Sequence, residues 1–123
     1  MSKLLAGRCV LVVEDEMLIL MMIEDMLSDL GCESVITASS VDLALAKIDA
    51  HTIDVAMLDS NLGGNSSDPI ADALAERHVP FFFATGQKNG AMERGYQDRP
   101  VLKKPFSREA LEARFRQLLS GTE

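Results

Sequence analysis

The chain has 123 residues, with 12 basic against 19 acidic side chains and a formal net charge of −7. At 47% hydrophobic and 25% charged residues, its composition is that of one globular domain rather than a disordered segment. The acidic balance argues against nucleic acid or an anionic membrane as main partner, because both need a basic footprint.

Short apolar runs and helical stripes alternate along the sequence. Cys9–Val13 is Val-rich and long enough for a strand buried on both faces. That run is too short for a signal peptide and ends in Glu14-Asp15-Glu16 rather than in small residues. Residues 17–30 predict a helix, with Ile23, Met26, Leu27 and Leu30 at i, i+3, i+4 and i+7 and Gly31 where a C-terminal glycine belongs. The apolar run over 17–23 falls far short of a membrane span. Met17, Met21, Met22 and Met26 share helical spacing and read as adaptable core filling.

Ser34–Ala38 predicts a second strand, and Ser40 caps a helix striped with Val41, Ala44, Leu45 and Ile48. Residues 54–58 predict a third strand ending at Asp59. Residues 60–68, rich in Gly, Ser and Asn, predict a loop. Pro69 suits the first turn of a helix to about His78. Residues 81–84 predict a fourth strand. Between Gln87 and Asp98, with Gly90 and Gly95, at most a short fourth helix is expected, followed by a brief strand over Val101–Lys103. Ser107 opens a last helix striped with Leu111, Phe115, Leu118 and Leu119. Five strands alternating with amphipathic helices predict an α/β domain over 1–123, its parallel sheet covered on both faces. Cys9 and Cys32 form no metal spacing or disulfide framework. Cys9 reads as a buried, inert thiol and Cys32 as free of chemistry. His51 and His78 stand apart from each other and from the acids.

In open sheets of this kind, sites form outside the carboxyl ends of the strands. The polar residues there are Glu14 and Asp15, then Asp59, then Thr85, then Lys104. Three carboxylates converging in one crevice repel one another and raise the pKa of at least one, unless a divalent cation sits among them. A few hard oxygen ligands with room for water suit Mg²⁺ better than a closed Ca²⁺ cage. Lys104 supplies a compact cation and Thr85 a hydroxyl donor for a bound anion. Together these are the parts of a phosphoryl-transfer site. Taken alone, Glu14-Asp15-Glu16 is also a plain acidic helix start, and Asp59 a plain turn residue.

The runs Val-Leu-Val-Val-Glu-Asp-Glu at 10–16, Met-Leu-Asp at 57–59, Ala-Thr-Gly at 84–86 and Lys-Lys-Pro-Phe at 103–106 resemble those of response-regulator receiver domains of two-component signalling. The resemblance spans nearly the whole chain. It implies a flavodoxin-like, doubly wound five-stranded parallel sheet of order 2-1-3-4-5 with five helices, the fourth short or weak. It makes Asp59 the phosphoacceptor, Thr85 the switch hydroxyl and Lys104 the phosphate contact. Glu14, Asp15, Asp59 and the backbone carbonyl of Asn61 become the Mg²⁺ ligands. Lys104, preceding Pro105, is preferred to Lys103, and its peptide bond to proline is expected to be cis. The implied partners are a histidine kinase or histidine phosphotransfer protein and an unknown output protein, with no nucleic acid and no membrane. The expected location is cytoplasmic. Such a domain catalyses only its own phosphorylation and dephosphorylation, and is not otherwise an enzyme.

The sequence also departs from that pattern. Val101 stands where many receivers carry an aromatic lever, and the residues after Asp59 replace a common Met-Pro pair. Phe83-Ala84-Thr85-Gly86 resembles the FATGUY receiver subgroup, although Tyr96 lies far behind it. Without an aromatic lever, the expected responder to phosphorylation is the segment 87–99. Two alternatives compete: a degenerate receiver acting as a docking module, and a flavin- or nucleotide-binding module. The second needs an N–H cradle after the first strand, where this chain has three acids instead.

Overall fold

A computed structural model of the chain describes residues 4–86 and 99–120. Five strands, β1 (Cys9–Val13), β2 (Ser34–Ala38), β3 (Val55–Asp59), β6 (Phe81–Thr85) and β7 (Val101–Lys103), form one parallel sheet of order β2-β1-β3-β6-β7. This is the order expected from the resemblance once two intervening two-residue strands are set apart. The described helices are α1 (Met17–Asp29), α2 (Val41–Ala50), α3 (Asp68–Glu76) and α4 (Arg108–Ser120). The expected short fourth helix and the expected responder segment fall almost wholly within 87–98, outside the described residues.

Alternation along the strands builds two apolar layers, because successive side chains leave a strand on opposite faces. Val10, Val12, Met57, Phe82, Ala84 and Leu102 meet α1 and α4 on one face. Leu11, Val13, Ala56, Leu58, Phe81 and Phe83 meet α2 and α3 on the other. Phe82 packs edge-to-face on Phe115 at 5.0 Å between ring centroids, and Phe81 does so on Phe83 at 5.6 Å. Strand β7 is a sheet edge, only three residues long, and Arg114 Nε caps its Val101 carbonyl at 2.8 Å.

Local signals set the element ends. The Ser40 hydroxyl accepts from the Leu43 N–H at 3.2 Å, and Ser107 does the same for Ala110 at 3.1 Å. Gly31 closes α1 with a φ of 87°. No described helix is long and apolar enough to cross a membrane.

Three expectations are corrected. First, the methionines of α1 do not fill the core. Leu20, Ile23 and Leu27 are its buried residues, and at 3.6 residues per turn Leu18, Met21 and Met22 fall on the opposite side. Met17 is 63% exposed, Leu18 81% and Met21 52%, while Met26 alone of the four methionines packs against the core. Second, the predicted loop over 60–68 contains an antiparallel hairpin, β4 (Asn61–Leu62) with β5 (Asn65–Ser66). Gly63 and Gly64, at φ of 61° and 92°, make its two-residue turn. Third, the more deeply buried thiol is Cys32, while Cys9 is only partly covered.

Candidate functional site

Parallel register brings the candidate residues to one rim. Val13 pairs with Leu58, so Glu14 and Asp59 leave β1 and β3 side by side. Asp59 pairs with Ala84, one residue short of Thr85, and Thr85 pairs with Lys103, one short of Lys104. Main-chain bonds continue the ladder past the strands: Ser60 N–H donates to the Ala84 carbonyl, and Lys104 N–H to that of Thr85 at 2.8 Å. The chain reverses direction of travel across the sheet between β1 and β3, which is where such sheets open a crevice.

One carboxylate oxygen from each of Glu14, Asp15 and Asp59 lies within 4.8 Å of the others. Their surroundings differ sharply. Glu14 is 1% exposed and Asp59 7%, whereas Asp15 faces solvent. Lys104 Nζ bridges the two buried acids, donating to Glu14 Oε1 at 3.0 Å and to Asp59 Oδ2 at 3.2 Å. Glu14 Oε2 also accepts from the Glu16 N–H at 3.2 Å. Lys103, by alternation, is exposed and points away from the acids.

Burial pushes the Glu14 carboxyl above its ordinary range, and the neighbouring Asp59 charge adds to this against the opposing bond from Lys104. For Lys104, burial alone favours the neutral amine. The bonds and charges of Glu14 and Asp59 outweigh it and hold the ammonium above its ordinary value. The rise at Glu14 thus comes first from burial, and repulsion between the converging acids adds only a smaller part. The Lys104–Pro105 peptide is cis.

Above the acids lies an open cavity of about 380 Å³ lined by Asp15, Asp59, Thr85 and Lys104, with Gly63 and Gly64 of the hairpin turn on its wall. Asn61 is placed by its pairing with Ser66. Thr85 is itself 1% exposed. Glu14, Asp15 and Asp59 outnumber the one ammonium, and Glu16 adds a carboxylate to the cavity wall, an excess of negative charge that suits a divalent cation. All the donors are hard oxygens, so the residues present fit Mg²⁺. The turn after β1 offers acids rather than an N–H cradle, which is unsuited to a nucleotide phosphate. Two features at this rim escaped the sequence. The hairpin wall was hidden because Gly-Gly in a polar stretch signals a turn without saying what pairs beside it. Lys104's bridge to Glu14 was hidden because a lysine at a strand end carries no sign of its partner.

The chain belongs to the response regulator receiver domain family, whose sequence profile matches residues 10–116. Receiver domains of this kind are signalling modules of two-component systems. The transcriptional regulatory protein YvrH of Bacillus subtilis (strain 168) is 30% identical over 119 residues, 92% of this chain and 49% of that protein. The chain thus spans about half the length of that relative. Among solved structures, SdrG from Sphingomonas melonis Fr1 aligns with a TM-score of 0.82 at 45% identity, covering 97% of this chain and 99% of that one. The BeF3-activated conformation of SdrG, from Pseudomonas melonis Fr1, aligns at 0.79 and 43%, covering 93% and 98%.

Proposed function

We propose that this domain is a phosphoacceptor: Asp59 takes a phosphoryl group from a phosphohistidine of a histidine kinase or histidine phosphotransfer protein, and the modified domain switches an output partner. The observation that carries the proposal is Lys104 Nζ on both Glu14 and Asp59 beneath an open cavity that Thr85 and Asp15 also line. An Asp59 carboxylate oxygen attacks phosphorus, the phosphorus–nitrogen bond breaks, and the imidazole leaves with its electron pair. Lys104 neutralises charge on the transferred group, and the Thr85 hydroxyl donates to one of its oxygens.

Glu14, Asp15, Asp59 and the Asn61 carbonyl would hold Mg²⁺, which when bound offsets charge on the phosphoryl oxygens. Glu14 and Asp59 bring their oxygens to the site already oriented by Lys104, and Asp15 completes the set from the solvent side. The exposed apolar side of α1, at Leu18, Met21 and Met22, starts two residues after Glu16 and suits docking of the phosphodonor protein. Phe83-Ala84-Thr85-Gly86 at the end of β6 supports placement in the FATGUY subgroup. The domain then acts in the cytoplasm as one unit over 1–123, catalysing only its own phosphorylation and hydrolysis.

Incubation with Mg²⁺ and a small phosphodonor tests the proposal by intact mass. The unsubstituted protein gains the mass of one phosphoryl group and Asp59→Asn gains none. No gain in the unsubstituted protein, under conditions that modify other receivers, overturns the proposal. A gain that persists in Asp59→Asn moves the acceptor elsewhere.

A further inference from the structure

Asp15 is the exposed member of the acid trio, and Gly63 of the hairpin turn lies beside it. A Cβ built on Gly63 would lie 3.6 Å from Asp15 Oδ2, in ordinary van der Waals contact. A Cβ on Gly64 would meet nothing within 4 Å. Both glycines have positive φ, 61° and 92°, so both backbones disfavour a side chain. Only a side chain at position 63, however, would reach the acid.

The turn is not free to swing aside. Leu62, 4% exposed, anchors β4 in the layer beneath α2 and α3, and Asn61 and Leu62 pair with Ser66 and Asn65. A methyl at position 63 would therefore stay against Asp15 and take up space in which that carboxylate is hydrated. Mg²⁺ gives up its water reluctantly and keeps several molecules when protein-bound, and those waters need acceptors and room.

We propose that Gly63 is a positioning residue for Asp15, its missing side chain keeping the outer face of that carboxylate open to the water of a hydrated divalent cation. The inference rests on the Mg²⁺-dependent phosphoacceptor function proposed above. It assigns to the hairpin, and to one of its two glycines, part of the site's preference for a small hydrated cation.

A glycine away from the cavity supplies the control: Gly7, before β1, also has a positive φ, 78°, and a Cβ there would meet nothing within 4 Å. Calorimetric titration with MgCl₂ at fixed ionic strength compares the unsubstituted chain, Gly63→Ala and Gly7→Ala, with urea unfolding of each in chelator. Both variants carry backbone strain and lower the urea midpoint. Gly63→Ala binds Mg²⁺ roughly tenfold more weakly, the scale of a perturbed outer shell, while Gly7→Ala stays within about twofold of the unsubstituted chain. Equal losses in the two variants, or none in Gly63→Ala, overturn the inference while leaving the phosphoacceptor function standing. No Mg²⁺ binding by the unsubstituted chain overturns the metal assignment and this inference together. Should Gly63→Ala fail to fold, Gly63→Asn replaces it, since Asn tolerates the left-handed region and places its Cβ in the same space. Unsubstituted-like Mg²⁺ binding by Gly63→Asn overturns the inference as well.

Discussion

Removing the Lys104 ammonium tests the electrostatics of the site most directly. Lys104→Met keeps the length and apolar stem of the side chain and deletes only its charge. Two contacts are lost, at 3.0 Å to Glu14 and 3.2 Å to Asp59. At an effective dielectric constant of about 20, each is worth about 5 kcal/mol of Coulomb attraction before desolvation. Most of that gross attraction is offset by the cost of dehydrating the ions, and breaking such a buried pair costs about 3–5 kcal/mol net. Glu14 sets an upper bound, because the variant can escape by protonating it. From the ordinary value of 4.5, taking up a proton at pH 7 costs about 3.4 kcal/mol at about 1.36 kcal/mol per unit.

The expected loss is therefore about 3 kcal/mol at pH 7 in chelator, or about 10 °C in Tm for a domain of this size. Its pH dependence follows from linkage. A carboxyl held above its ordinary value in the fold stabilises fully below 4.5, and that contribution fades as pH rises through the folded value. Removing Lys104 raises Glu14 further, so the gap between the two proteins widens from pH 4.5 to 7 and nearly closes at the acid end. Urea unfolding at several pH values measures this, and Glu14→Gln in the Lys104→Met background recovers most of the loss at pH 7. A loss below about 1 kcal/mol at pH 7 refutes the account. So does a loss that is the same at pH 5 as at pH 7.

Two further outcomes test the scaffold. Ser40→Ala removes the acceptor for the Leu43 N–H and costs about 1 kcal/mol by urea unfolding, with a change under a few tenths showing that the cap is dispensable. Cys32 is 8% exposed and burial pushes its thiol up, with its Sγ on the Ser34 carbonyl at 3.4 Å. At pH 8 it reacts with a thiol reagent at least roughly tenfold more slowly than in the urea-unfolded chain. Its raised value also means stability is full below 9.0 and declines as pH climbs past it; labelling of folded Cys32 at the unfolded rate counts against both.

The parallel sheet was legible because its strands are buried on both faces. Val10–Val13 and Phe81–Phe83 are continuous apolar runs, and only a doubly covered strand tolerates that pattern. Glu14, Asp59 and Thr85 were legible for the same reason, since each is the first polar side chain after such a run. Lys104, by contrast, needed the proline that follows it to be told from Lys103. The methionines of α1 misled because residue type was weighed over angle. Leu20, Ile23, Leu27 and Leu30 already complete a buried stripe, leaving no room on it for Met21 or Met22. The unequal burial of Glu14 and Asp15 lay beyond sequence reasoning. Consecutive residues at a strand end point to opposite sides, and which side is covered depends on Lys104, 90 residues away.

That inequality reframes the acidic balance of the chain. A phosphoryl donor is an anion approaching a protein of net charge −7, and it meets a cavity whose nearest groups are carboxylates. Lys104 offsets one of the three, and holds Glu14 and Asp59 in place as it does so. Asp15 lies outside that bridge, exposed beside Gly63, and Glu16 adds a further carboxylate to the cavity wall. On the proposed function, Glu14, Asp15 and Asp59 would hold a divalent cation whose charge lessens the repulsion of an anionic donor. Productive approach of an anionic donor is thereby conditional on metal. Apolar contact along Leu18, Met21 and Met22 gives a protein donor a means of arrival that small anionic donors lack.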